Sequence, residues 1–167
     1  MLEIKNNELY FARKSDKVIL PSKESHNAGY DVYAFFEENE FVIQPHQTKL
    51  VPTGLYSAFT EDYVLLGRER GSTGSIGMKL GAGVIDSSYR GEIFIAITND
   101  NDKPLAISKE VDKTEITEDF ILYPYKKAIA QLLLVPVSKV EVKEISVKEL
   151  QSIASKRGEG KLGSSNK

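Results

Sequence analysis

The chain has 167 residues, a net charge of −2, two histidines and no cysteine, so it is sized for one domain and excludes disulfides, thiolate-bound zinc and a thiol nucleophile. Charges of both signs are interspersed, which gives no basic stripe for a nucleic acid, and no apolar run approaches the ~18 residues of a membrane span. With no leader-like start, a cytoplasmic location with neither nucleic-acid nor membrane partners is expected.

Read in chain order, the sequence breaks into short strands separated by turn residues, the pattern of an all-β sandwich or barrel. Strands are predicted over 2–5 and 9–13, over the alternating segment 30–36, and over 41–43 ahead of a turn at Pro45. Further strands are expected at 49–52, 55–59 and 63–68, and at 92–98 after a glycine-rich stretch. Segment 129–137 is nearly continuous in apolar residues and reads as a strand buried on both faces, while 140–145 alternates again. One helix is signalled near the C-terminus, from the capping box of Ser146 and Glu149 to about Ser155. Residues 99–125 are polar and aperiodic apart from 120–123, which suggests a long loop or an extra hairpin. The expected organisation is a single β-domain over 1–156 followed by a flexible glycine-rich arm over 157–167.

The glycines are clustered. Seven of the twelve fall between Gly67 and Gly91, and three more lie in the last eleven residues. Glycine lets backbone N–H groups approach a phosphate or a base without a Cβ in the way, although ordinary β-turns use it as well. The adjacent chemistry favours a ligand: Arg68, Arg70, Ser72 and Thr73 supply cationic and hydroxyl donors, and Asp86, Tyr89 and Arg90 stand just beyond a predicted hairpin.

Five collinear segments carry a family resemblance. Ala28-Gly-Tyr-Asp31-Val-Tyr-Ala34, Arg70-Gly-Ser72-Thr-Gly74 and Gly81-Ala-Gly-Val-Ile-Asp86-Ser-Ser-Tyr89-Arg-Gly-Glu92 resemble the first three motifs of the trimeric dUTPases. Ala128-Ile-Ala-Gln131-Leu resembles the fourth, and Arg157-Gly-Glu-Gly160-Lys-Leu-Gly163-Ser-Ser the fifth. The resemblance implies a distorted jelly-roll β-barrel and a homotrimer whose active sites are each assembled from three chains. It implies Mg²⁺-dependent hydrolysis of dUTP to dUMP and pyrophosphate, which limits uracil in DNA and supplies dUMP for thymidylate synthesis.

On this resemblance Asp86 orients the attacking water, Asp31 assists, and Tyr89 packs on the deoxyribose, where its ring would crowd a 2′-hydroxyl. The main chain of Leu80, Gly81, Gly83 and Val84 reads uracil, with small side chains excluding the thymine methyl. Arg70, Gly71, Ser72, Gln131 and Arg157 meet the phosphates, and Gly160, Leu162, Gly163 and Ser164 belong to the arm that closes over substrate. Mg²⁺ is expected to be held mainly by substrate phosphates and waters.

Several positions depart from the family pattern. Gly71 stands where a serine commonly follows the arginine, Ala128 where an arginine usually precedes Ile-Ala-Gln, and Leu162 where an aromatic commonly stacks on the base. Two other readings use the same residues: a dCTP deaminase, whose Gly-Phe and Thr-Leu-Glu run is replaced here by Ser88-Tyr89 and Ile97-Thr98-Asn99, and a nucleotide-sensing regulator contacting a protein through 99–125.

Overall fold

The computed structural model describes residues 3–160. In chain order the first strands are β1 (Tyr10–Arg13), β2 (Tyr30–Val32), β3 (Glu40–Ile43), β4 (Thr48–Ala58) and β5 (Tyr63–Arg68), followed by a one-turn helix, α1 (Gly71–Gly74). Then come β6 (Met78–Leu80), β7 (Val84–Ile85), β8 (Ile93–Asn99), β9 (Leu105–Ser108), β10 (Glu115–Ile116), β11 (Ile121–Pro124), β12 (Ala130–Pro136) and a short helix, α2 (Val147–Ser152). The chain divides into two compact units, 1–137 with all the strands and 138–167 with α2. The boundary expected at 156/157 therefore lies within the second unit. No helix among the described residues is long and apolar enough to cross a membrane.

Three four-stranded sheets form the first unit, in the orders β1-β4-β8-β6, β10-β11-β9-β3 and β2-β12-β5-β7. The expected all-β jelly roll is present, as three open sheets around one core and not as a closed barrel. That core draws Val32, Leu65 and Leu132 from one sheet, Val51, Leu55, Ile95 and Ile97 from another, and Ile43, Leu105, Ile107 and Tyr123 from the third. Each fully buried aliphatic chain contributes about 1.5–3 kcal/mol of transfer free energy.

The strands expected at 49–52 and 55–59 are one long strand with an irregularity. Pairing of β4 with β8 shifts register between Pro52 and Leu55. Gly54 sits in that shift at φ +66°, and its N–H is received by Glu92 Oε1 at 2.9 Å. A Cβ there would press on Val18, so both backbone and packing require glycine.

Other expectations are corrected by pairing. Residues 80–84 do not form a hairpin, because β6 joins β8 and β7 joins β5, so Gly81–Gly83 bridges two sheets. Burial of β12 on both faces is confined to its start. Beside Val32, Asp31 and Tyr30 of β2 it is well covered, but β2 ends opposite Leu132, and Leu133 to Val135 are only half-buried. No strand forms at 3–5 or 140–145; Leu2 lies outside the described residues. Alternation alone does not satisfy a strand's N–H and C=O groups, and Val140 and Val142 stand exposed.

Of the two expectations for 99–125, the extra hairpin forms, from β10 and β11, and a further strand, β9, joins it. β9 pairs with β3 antiparallel and with β11 in parallel, and β10 closes the sheet edge against β11. The predicted helix forms over six residues, with Ser146 Oγ receiving the Glu149 N–H at 3.2 Å and Glu149 Oε2 receiving the Ser146 N–H at 2.8 Å. Helix α1 was not predicted. It nucleates because the Thr73 hydroxyl accepts from the Arg70 N–H at 3.0 Å and donates to the Arg70 carbonyl at 3.1 Å.

Candidate active site

Sheet register gathers the first group of expected site residues. Gln131 in the central strand β12 stands opposite Asp31 of β2 on one side and Arg68 of β5 on the other. Asp31 is further tied by its N–H to the Ser22 carbonyl at 2.8 Å. Arg70, at the end of β5 and the start of α1, closes the constellation. Its Nε donates to Asp31 Oδ1 at 2.8 Å and its Nη2 to Oδ2 at 3.2 Å, while Nη1 reaches Ser72 Oγ at 3.3 Å and the Ala128 carbonyl at 3.4 Å. Both oxygens of Asp31 and all three nitrogens of Arg70 are thereby engaged within the chain.

The pair lines a polar cleft of about 780 Å³ together with Gly71, Ser72, Gln131 and residues of the β1–β2 loop, among them Lys23 and Asn27. Lys23 Nζ lies 5.5 Å from the centre of the Tyr30 ring, which holds a cation at the cleft edge. Gln131 Nε2 donates to the Glu69 carbonyl at 2.8 Å. Gly29 packs against that carboxamide so closely that a Cβ would overlap its oxygen and crowd Gln131 Cβ at 2.9 Å.

Two more groups lie elsewhere on the same chain. Leu80, Gly81, Gly83 and Val84 line a smaller cleft of about 270 Å³ with Leu66 to Glu69. Within it the Gly81 N–H donates to the Ala96 carbonyl at 2.9 Å and the Gly83 carbonyl accepts from Gly67 at 2.6 Å. Asp86 and Tyr89 line a third, about 250 Å³ in volume, with Glu92 and Phe94. Tyr89 is 45% exposed; its N–H returns to the Asp86 carbonyl at 3.1 Å and its hydroxyl to the Glu92 carbonyl at 2.8 Å. Among the described residues no hydrogen bond or ion pair connects Asp86 with Asp31, Arg70 or Gln131.

In the second unit, Arg157 Nε donates to the Gly160 carbonyl at 3.0 Å and the Gly160 N–H returns to the Arg157 carbonyl at 3.2 Å, a self-closed turn. Leu162, Gly163 and Ser164 lie outside the described residues.

Two residues without an assigned role in the sequence stand in this framework. Glu69 receives the Leu80 N–H on Oε1 at 3.0 Å, linking the main cleft to the glycine bridge. That backbone donor is the chief reason its carboxyl is held below the usual range, with Arg68 and Lys79 adding to it. Tyr123 on β11 donates its hydroxyl to the Ala128 carbonyl at 2.7 Å, and burial pushes its ionisation upward against the opposing charge of Arg70. The one local signal for Glu69 is its place beside Arg70. Nothing local marks Tyr123, whose place depends on a parallel pairing across the insertion.

Comparison with known proteins places this geometry. A dUTPase family model matches residues 15–112. The deoxyuridine 5'-triphosphate nucleotidohydrolase of Alcanivorax borkumensis is 34% identical over 161 residues, covering 93% of this chain and 93% of its own. The chain belongs to the dUTPase family. A family relative of the same name from Debaryomyces hansenii is 33% identical over 156 residues, covering 92% of this chain and 84% of its own. Among solved structures, a mutant Staphylococcus bacteriophage 80alpha dUTPase with dUpNHpp superposes with a TM-score of 0.74 at 23% identity, over 96% of this chain and 99% of that one. A phage phi11 dUTPase mutant described with a structural Mg(II) ion gives 0.64 at 21% identity, over 83% and 97%. These likenesses show that the three-sheet arrangement is the family's fold. The family match ends at residue 112, inside the insertion and ahead of Gln131.

Proposed function

We propose that this chain hydrolyses dUTP, the substrate in its relatives' name, to dUMP and pyrophosphate, in a homotrimer whose sites are shared between subunits. The observation that carries the reading is the separation of its parts. Asp86 and Tyr89 face one cleft while Asp31, Arg70, Ser72 and Gln131 face another, and water attack at a phosphorus needs both an orienter for the water and donors for the phosphates. Bringing the turn of one copy to the cleft of a second makes a complete site, and the arm of a third, with Arg157, Gly160, Leu162, Gly163 and Ser164, closes it.

In that site Asp86, exposed on a short turn, orients the attacking water. Asp31 acts through Arg70, whose guanidinium plane it fixes on two nitrogens. A phosphate therefore meets Arg70 at its outer face, with Ser72, the Gly71 main chain and Gln131 around it. Tyr89 packs its ring on the sugar. The Gly81 N–H and Gly83 carbonyl are engaged within the fold, so uracil is read by the other main-chain groups of 80–84.

Among the described residues no three Asp, Glu or His side chains gather as a metal cage, and both Asp31 oxygens already serve Arg70. This donor set suits Mg²⁺ carried by the triphosphate. When bound there, the ion would neutralise phosphate charge. A cytoplasmic setting, and roles in keeping uracil out of DNA and supplying dUMP, accompany the same reading.

The test is pyrophosphate release from dUTP, dCTP, dTTP and UTP with Mg²⁺, with products identified, for the wild type and Asp86→Asn. Turnover of dUTP alone to dUMP, lost in the variant, is expected. Deamination of dCTP would establish the deaminase reading instead, and nucleotide binding without turnover the regulator.

A further inference from the structure

The insertion between β8 and β12 delivers to the main cleft a side chain that no family motif contains. Parallel pairing sets Tyr123 opposite Ile107 and drives its ring into the core, where it is 1% exposed. Its hydroxyl donates to the Ala128 carbonyl, behind Arg70, at 2.7 Å. The same carbonyl receives Arg70 Nη1 at 3.4 Å, and that nitrogen also reaches Ser72 Oγ at 3.3 Å. Arg70 is thus gripped by Asp31 on one edge and by Ser72 and the Tyr123–Ala128 pair on the other.

The sequence at 128 explains why a phenol is needed. The resemblance puts an arginine at that position in relatives, whereas Ala128 offers no side-chain donor and is itself buried. Lys126 and Lys127 do not replace it, since both are exposed and Lys126 Nζ turns to Asp112 at 3.4 Å. An Ala128 carbonyl that lacked the Tyr123 donor would draw on Arg70 alone. It would pull Nη1 inward, away from Ser72, and rotate the fork off Asp31.

We propose that Tyr123 is a positioning residue: by satisfying the Ala128 carbonyl it sets the plane of the Arg70 guanidinium against Asp31 and toward the substrate phosphates. The inference rests on the dUTP-hydrolysis reading above for its kinetic arm and on geometry alone for its spectroscopic one. It also gives the insertion a task inside the site.

Tyr123→Phe keeps the ring and removes the donor. With the trimer and its melting temperature monitored, kcat for dUTP is expected to fall about fivefold with KM changed less than about twofold, since orientation matters most where charge develops. On an Arg70→Lys background the same change is expected to leave kcat within about 1.5-fold, because the group it positions is gone. The ¹⁵Nε–H resonance of Arg70, read without substrate, is expected to exchange faster with water in Tyr123→Phe. An equal loss of kcat in both backgrounds, or an unchanged Arg70 resonance, overturns the proposal. Absence of turnover in the wild type overturns the parent reading, and the resonance then decides this one by itself.

Discussion

Gly29→Ala tests the main cleft through a position that is given no substrate contact of its own, by displacing Gln131. The added methyl would overlap the Gln131 carboxamide oxygen and stand 2.8 Å from Cδ and 2.9 Å from Cβ. Swinging the carboxamide away relieves the first two contacts and breaks the 2.8 Å bond from Gln131 Nε2 to the Glu69 carbonyl. The contact with Cβ remains, and it moves β2 off β12 at the point where Asp31 faces Gln131. Overpacking of this kind costs about 1–3 kcal/mol, and one lost part-buried hydrogen bond about 1 kcal/mol, so destabilisation by about 2–4 kcal/mol is expected. In a domain of this size that lowers Tm by roughly 4–16 °C. Because Asp31 and Gln131 move apart, kcat/KM for dUTP is expected to drop by at least about tenfold, as small displacements of positioned groups do. Urea denaturation and steady-state hydrolysis on Gly29→Ala, Gln131→Ala and the double variant read the outcome. Removing the carboxamide should halve the stability cost of the glycine change. A Gly29→Ala protein as stable and active as the wild type would refute the reasoning, and so would full additivity in the double variant.

Three further outcomes are expected. Glu69 has its carboxyl held low in the folded state chiefly by the Leu80 N–H, so its contribution is fully present above the ordinary carboxylate range and fades as pH falls through the lowered value. Glu69→Gln keeps an acceptor for the Leu80 N–H and loses only a solvent-screened charge, so it should cost no more than about 0.5 kcal/mol at pH 7 and converge on the wild type in acid, as read by urea titrations across pH. Asp31→Asn presents an amide to Arg70 where two carboxylate oxygens stood; its loss of kcat/KM should largely vanish on an Arg70→Lys background, whereas a separate water- or metal-binding role for Asp31 would leave it intact. Ser57 is 5% exposed and its Oγ is a buried side-chain oxygen without a hydrogen bond among the described residues, so Ser57→Ala should leave Tm unchanged or raise it; a drop of several degrees would mean the hydroxyl has a partner.

The sequence was most legible where chemistry is local. Short apolar runs between turn residues located β5 and β8 to within a residue, and the Ser146–Glu149 capping box placed α2, because such runs and caps are local signals. What failed was pairing. Met78–Leu80 and Val84–Ile85 resemble the arms of a hairpin, yet each finds a longer strand to complete, β8 and β5, and the glycines between them serve as a bridge. The insertion reads as aperiodic because its polar connections outweigh two four-residue strands, Leu105–Ser108 and Ile121–Pro124, whose parallel ladder no local signal announces. Among site residues, Asp31, Arg70, Ser72 and Gln131 were placed together by motif resemblance and meet through the register of β12. Glu69 and Tyr123 were not named, since one acts through a backbone N–H eleven residues away and the other through a carbonyl reached only after folding.

The separation of Asp86 from Arg70 on one chain leads to a mixing experiment with a numerical answer. Let each site take its cleft from one subunit and its Asp86 turn from the next around a threefold axis. Arg70→Ala trimers then have no competent cleft and Asp86→Asn trimers no competent turn, and each alone is inactive. When the two are unfolded together in equal amounts and reassembled at random, a site works only if its cleft comes from an Asp86→Asn chain and its turn from an Arg70→Ala chain. Each condition holds half the time, so about a quarter of the wild-type activity per site should return. The arm, contributed by a third chain, is intact in both variants and does not alter the fraction. Sites built within one chain would return nothing at any mixing ratio. A yield near a quarter, falling away on either side of equal proportions, is the signature of a site that no single copy of this fold can complete.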